Sequence, residues 1–139
     1  MSNKETLLDI AARDYRQALK MIKYFTGDDG ELNVIGYLLQ QSAELCIKHC
    51  MEIHGIRYEH THSIEDLLDA CDDSCDYTTE FYNFAPAISK MESKTRYIKN
   101  YRLALRQVKR AKELVEELLL ANGASKSDLE LSTNTMSLF

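Results

Sequence analysis

Apolar residues in this chain return at alternating steps of three and four, and few residues interrupt the pattern. Leu8, Ala11, Tyr15, Ala18, Ile22 and Phe25 mark one run, and Ile35, Leu39, Ala43, Cys46, Cys50 and Ile53 a second. Tyr101, Ala104, Val108, Ala111, Val115 and Leu118 mark a third. That spacing collects side chains on one face of an α-helix, whereas a half-buried strand would alternate every second residue. The 139 residues include one proline and five glycines, too few for the closely spaced turns of a β-sandwich. With 45% hydrophobic residues, the chain is long enough for one core without disulfides or a structural metal. The pattern predicts an all-α fold: an antiparallel up-and-down bundle of four to five helices.

The breaks define the elements. The first helix ends at Gly27-Asp28-Asp29-Gly30, and the second runs from about Glu31 to His54 and stops at Gly55. Ser63, with Asp66 three residues on, is a capping-box variant opening a third helix that buries Ile64, Leu67, Leu68 and Cys71. A fourth, from about Tyr77 to Met91, contains Pro86 and should kink or restart near Ala85. The last long helix ends at Asn122-Gly123. The bundle is therefore expected over 1–122, and the Ser/Thr/Asn-rich stretch 123–139 is expected to be a flexible polar tail.

The first sixteen residues lack an apolar leader segment, being broken by Lys4, Glu5, Asp9 and Arg13. No apolar run approaches the roughly 18 residues of a membrane span. A cytoplasmic protein with no membrane association is the expectation.

Charge is distributed unevenly. Between Lys94 and Lys112 lie eight basic residues and no acidic one, which leaves nine basic against 22 acidic elsewhere. Such asymmetry points either to a phosphate-bearing ligand or to an acidic partner for the segment. Lys99, Arg102, Arg106 and Lys109/Arg110 would flank the buried stripe of the last helix as a row. Arginine forks match phosphate oxygens, and Tyr97 or Tyr101 can stack on a base. The competing reading pairs this row with Glu65, Asp66, Asp69, Asp72, Asp73, Asp76 and Glu80, an acidic helix face. Composition leaves the two open.

Other chemistries find less support. Cys46 and Cys50, then Cys71 and Cys75, lie four apart, with His49, His54, His60 and His62 nearby. The spacing is not that of a zinc finger, and Cys46 falls on the core stripe, so the thiols read as buried apolar filler with no metal. There is no G-x-S-x-G elbow, glycine-rich phosphate loop or H-E-x-x-H pair, and the acidic stretch reads as a solvated face. Neither a catalytic residue nor a cofactor is assigned.

The segment Gln40-Gln41-Ser42-Ala43-Glu44-Leu45-Cys46-Ile47-Lys48 resembles the Q-x-A-E-x-x-x-K helix signature of HEPN domains, the higher eukaryote and prokaryote nucleotide-binding family. His54-Gly55-Ile56 and then Thr61-His62-Ser63-Ile64-Glu65-Asp66-Leu67-Leu68 are similar to the family's next segment. Thr95-Arg96-Tyr97 falls where many members carry a T-R-Y element. The resemblance covers roughly residues 5–120.

What the resemblance implies is a helical bundle, commonly a homodimer, with a polar cleft between the two last long helices. Many members are metal-independent RNases or toxins whose signature is an Arg, then Asn, Asp or His, then a His, with four to six residues between the Arg and the final His. Here Arg96 is present, but the corresponding positions hold Tyr101, Arg102 and Leu103, and the last histidine of the chain is His62. An acid/base that titrates near neutral pH is therefore missing from the family's site, and tyrosine replaces it poorly. The expected function is binding of nucleotide or RNA phosphates by a non-catalytic basic cleft of Arg96, Tyr97, Lys99, Tyr101, Arg102 and Arg106, with Lys48 and Glu44 lining it. The bland reading of Glu44 and Lys48 is a local i,i+4 salt bridge. His62 is expected to bond a helix end or a loop carbonyl. Small prokaryotic proteins of this type resemble the companion half of a pair with a minimal nucleotidyltransferase, a toxin–antitoxin-like arrangement. The alternatives are an RNase with a degenerate Arg96–Tyr97/Tyr101 site and a dimeric interaction module. Leu103, Leu105 and Leu119, off the core stripe, are candidates for a dimer face.

Overall fold

The computed structural model describes residues 4–92 and 103–131 and places six helices among them. These are α1 (Leu7–Lys23), α2 (Asp29–Ile53), α3 (Ile64–Ala70), α4 (Thr79–Ser89), α5 (Leu105–Ala121) and α6 (Lys126–Leu129). The fold is an all-α antiparallel bundle, and α2 is its axis, touching α1, α3, α4 and α5. Its sequence explains why. Leu32, Ile35, Leu39, Ala43, Cys46, Ile47, Cys50 and Met51 are all buried, together with the polar Gln40, Ser42 and Glu44. A helix buried on so many sides is enclosed by neighbours rather than laid on a surface. The stripe read from spacing is correct for five of its six residues; Ile53, in the last turn, is exposed.

Polar side chains close the helix ends. Thr6 and Asp9 form a reciprocal capping box on α1, with Asp9 N–H donating to Thr6 Oγ1 at 3.1 Å and Thr6 N–H to Asp9 Oδ2 at 2.9 Å. Asp28, Ser63 and Thr78 cap α2, α3 and α4. The predicted buried face of α3 (Ile64, Leu67, Leu68 and Cys71) is buried as expected. Pro86 lies within the single helix α4, so there is no restart at Ala85.

Two boundaries depart from expectation. α5 begins at Leu105, with Ala104 as its exposed N-cap, so Ala104 is not a core residue. Conversely Leu103 and Leu119 are buried. Of the three residues offered as a dimer face, only Leu105 is exposed. Gly36 on α2 shows what Leu103 does. A Cβ there would lie 2.5 Å from Leu103 Cδ1 and 3.4 Å from Met91 Cβ, so the glycine is a seat for both. The residues on either side of 93–102 are thus anchored at one point on the central helix.

The segment read as a tail is ordered in its first part. Gly123 turns the chain at φ +116°, a conformation that favours glycine, and ends α5. Ser125 and Asp128 then form a second capping box for α6, which packs against α1 with Leu129 buried. A short Ser-Lys-Ser-Asp-Leu run resembles a linker by composition, but its cap and single leucine are enough to dock it. Residues 132–139 lie outside the described residues.

Candidate functional site

Polar residues inside an apolar helix demand partners, and α2 supplies them from its own turns. Glu44 is 4% exposed. Its Oε1 accepts from Gln40 Nε2 at 2.9 Å and from His62 Nδ1 at 3.0 Å, and its Oε2 accepts from Lys48 Nζ at 3.0 Å. Gln40, fully buried, also donates from Nε2 to the His62 carbonyl at 3.1 Å. The loop before α3 is therefore fastened to the centre of α2 through the Glu44 carboxylate and the Gln40 amide. Lys48 Nζ in addition sits 5.3 Å from the centroid of the Tyr58 ring, within cation–π range. Glu44 and Lys48 do form the expected i,i+4 pair, but it is largely enclosed rather than part of an open wall. His62 bonds the Glu44 carboxylate where a loop or helix-end carbonyl was expected.

Beyond this network the surface opens. His60, Thr61, His62, Ser63, Ser89 and Glu92 line a depression of about 340 Å³. Ser63 Oγ donates to Glu65 Oε1 at 2.7 Å, Ser89 Oγ donates to the same oxygen, and Ile64 N–H donates to Ser89 Oγ at 2.8 Å. Burial raises the Glu65 carboxyl, but the Ser89 and Ser63 bonds outweigh it and leave the group below its ordinary value.

The basic segment is divided by the described boundary. Arg96, Tyr97, Lys99, Tyr101 and Arg102, with Lys94, lie outside the described residues. Arg106 and Lys109 are exposed near the start of α5 and make no ion pair among the described residues. Arg110 behaves otherwise, donating to Glu80 at 2.6 Å and to Glu113 at 3.1 Å. One member of the row thus pairs with the acidic region before and within α4, as the competing reading anticipated. Lys112 approaches Glu116 at 3.9 Å. The first turn of α5 carries no acidic residue, and Ala104 offers its N–H groups no side-chain cap.

A HEPN domain family model matches residues 5–123 of the 139, most of the chain. The chain belongs to the HEPN domain family. No match was found among curated proteins or among solved structures. In this HEPN domain the signature residues Glu44 and Lys48 of α2 and His62 of the following loop are one connected network, a relation invisible in their separate motifs. Gln40, which completes it, was not singled out by sequence, although a glutamine three and seven residues before Ala43 and Ile47, on one helical face, was a signal for a buried polar contact.

The four cysteines are all buried and free. The Cys46 and Cys75 thiols beside Cys50 stabilise its charged form and pull its pKa down, while their own are pushed up. Cys50 Sγ also lies 3.4 Å from Asn122 Oδ1, which accepts from Asp76 N–H at 2.8 Å. Among the described residues no group of three His, Cys, Asp or Glu is placed to hold a metal ion. Nor is any described helix long and apolar enough to cross a membrane.

Proposed function

We propose that this HEPN domain binds nucleotide or RNA phosphates at the start of α5 and along the basic residues that precede it. The observation that carries the reading is the state of Arg106 and Lys109: exposed, and without a carboxylate partner among the described residues, in a chain of net charge −5. Cations left without counter-charges on an acidic protein are available to an external anion. The open N–H groups at the helix start favour the same charge. Met91 and Leu103, the described residues near either side of 93–102, are both seated on Gly36. A homodimer and a nucleotidyltransferase partner belong to this proposal through the family alone.

Salt dependence tests it. Binding of a fluorescent single-stranded RNA should weaken with rising salt, with a log–log slope of about −0.7 per phosphate contact. The Arg106→Ala/Lys109→Ala variant should bind more weakly, with a slope smaller by roughly 1.4. Arg110→Ala, which removes a cation already engaged by Glu80 and Glu113, should change the slope much less. Equal slopes for the wild type and the double variant would overturn the assignment.

A further inference from the structure

Residues 65 to 80 include seven carboxylates and no lysine or arginine, and the last part of that stretch borders an apolar cavity between α4 and α5. The cavity has a volume of about 200 Å³. Its floor is Phe81, Leu114 and Leu118, all buried, while Asp76, Tyr77 and Glu117 stand exposed around it. One side chain fixes the Asp76 backbone from both sides: its N–H donates to Asn122 Oδ1 at 2.8 Å, and its carbonyl accepts from Asn122 Nδ2 at 2.7 Å. Tyr77 is held as a wall. Its ring stacks on Tyr82, with centroids 6.2 Å apart and planes 22° apart, and Tyr82 O–H donates to Asp69 Oδ1 at 2.9 Å. A ring that is 37% exposed yet oriented by its neighbours presents an ordered aromatic face to whatever enters.

The charges at the rim have no counterpart. The Asp76 and Glu117 carboxylates make no ion pair or hydrogen bond among the described residues, and no basic residue lines the cavity. Arg110, one turn before Leu114 on α5, is already divided between Glu80 and Glu113. The last turn of α5 carries no basic residue either, so the carbonyl end of the helix adds to the negative potential. A basic side chain answers each of these features: its methylene stem covers the apolar floor, and its charge meets the two carboxylates and the Tyr77 ring. The volume suits one such side chain rather than a whole ligand of drug size. Asp72 and Asp73, exposed and also without an ion pair among the described residues, extend the negative surface for further charges on the same chain. We propose that this face is the docking site for a lysine-bearing basic segment of a partner protein, one lysine of which enters the cavity. The site is independent of the RNA-binding reading. It lies toward the opposite end of α5 from Arg106, and its unpaired carboxylates repel phosphate.

A fluorescent peptide of alternating lysine and serine should bind the full chain at about 0.15 M salt, where long-range attraction between exposed charges is largely screened. The same peptide with every lysine replaced by diaminobutyrate keeps its charges on stems two methylenes shorter. It should bind about tenfold more weakly, because the shorter stem leaves the apolar floor uncovered. Asp76→Asn/Glu117→Gln should weaken the lysine peptide by about fivefold. Ala121→Leu, at an exposed position lining the cavity, should lower its affinity to that of the diaminobutyrate peptide. Equal binding of the two peptides by the wild type would show that charge alone holds them and would overturn the site. That comparison needs no variant, so it decides the matter even where a substitution disturbs the fold. Spermidine that binds as tightly as the peptide would assign the cavity to a small cation. Self-association of the chain that Ala121→Leu abolishes would assign it to a second copy. Either result overturns the partner segment as its occupant.

Discussion

Replacing Glu44 by glutamine changes one atom in a polar cluster enclosed by the bundle, so its cost follows from a count of donors. The carboxylate receives three: Gln40 Nε2 and His62 Nδ1 at one oxygen, and Lys48 Nζ at the other. A glutamine has one acceptor oxygen and one amide nitrogen. If the oxygen stays with Gln40 and His62, the amide nitrogen points at the Lys48 ammonium, donor against donor. If it flips, Lys48 is satisfied and two other donors are not. At least one hydrogen bond to a charged acceptor is lost, each contributing about 1.5–3 kcal/mol. Lys48 has an escape, since its side chain is 12% exposed and lies against the Tyr58 ring, so it can turn toward water. The net destabilisation should therefore be about 2–3 kcal/mol, below the roughly 3–5 kcal/mol of a fully buried broken pair. Lys48→Met should cost less, about 1–2 kcal/mol, because Glu44 keeps two donors. Urea unfolding of both single variants and the double variant closes the cycle. The double variant should be more stable than the summed single effects predict by about 1–2 kcal/mol, at unchanged m. Additivity within about 0.5 kcal/mol would mean that the pair exerts no force on the fold, and the argument would fail.

Two further outcomes concern the helix ends. The Asp9 carboxyl is held below its ordinary value by the Thr6 backbone N–H first and the Thr6 hydroxyl second, and Asp128 likewise by Ser125. A folded pKa below the unfolded one gives stability that is present above about pH 4 and lost as pH falls through the folded value. The wild type should accordingly lose more stability to urea between about pH 5 and about pH 3 than the Asp9→Asn/Asp128→Asn variant; matching profiles would refute the assignment. Leu129 is 3% exposed and anchors α6, so Leu129→Ala should cost about 2 kcal/mol, the low end for a leucine truncation because a short terminal element can settle. The same change should open residues 124–131 to proteolysis, and unaltered protection would show that α6 is held some other way.

The parts of this fold that were legible in sequence are those whose cause is local. The three-four stripe of α1, the Val108–Leu118 part of the predicted last stripe, the Ser63 cap and the breaks at Gly27 and Gly123 all act within one or two helical turns. Errors entered where a distant contact decides. Leu103 looked like surplus apolar surface because its partner, the missing side chain of Gly36, is an absence 67 positions away. Ile53 kept the helical step but falls in the last turn of α2, beyond the helices that would cover it. The tail was misjudged from residue 124 to 129 because polar composition describes linkers and capped single turns alike. At the site, Glu44 and Lys48 were recognisable as a pair, but the partner of His62 is 18 residues away and could only be learned in three dimensions.

Anion binding depends on cations without counter-charges, and Arg110 shows how one is consumed: Glu80 and Glu113 neutralise it before any ligand arrives. Arg106 and Lys109 differ only in having no such neighbour among the described residues. Removing Arg106 and Lys109 should therefore weaken RNA binding, whereas removing Arg110, already engaged, should change it much less.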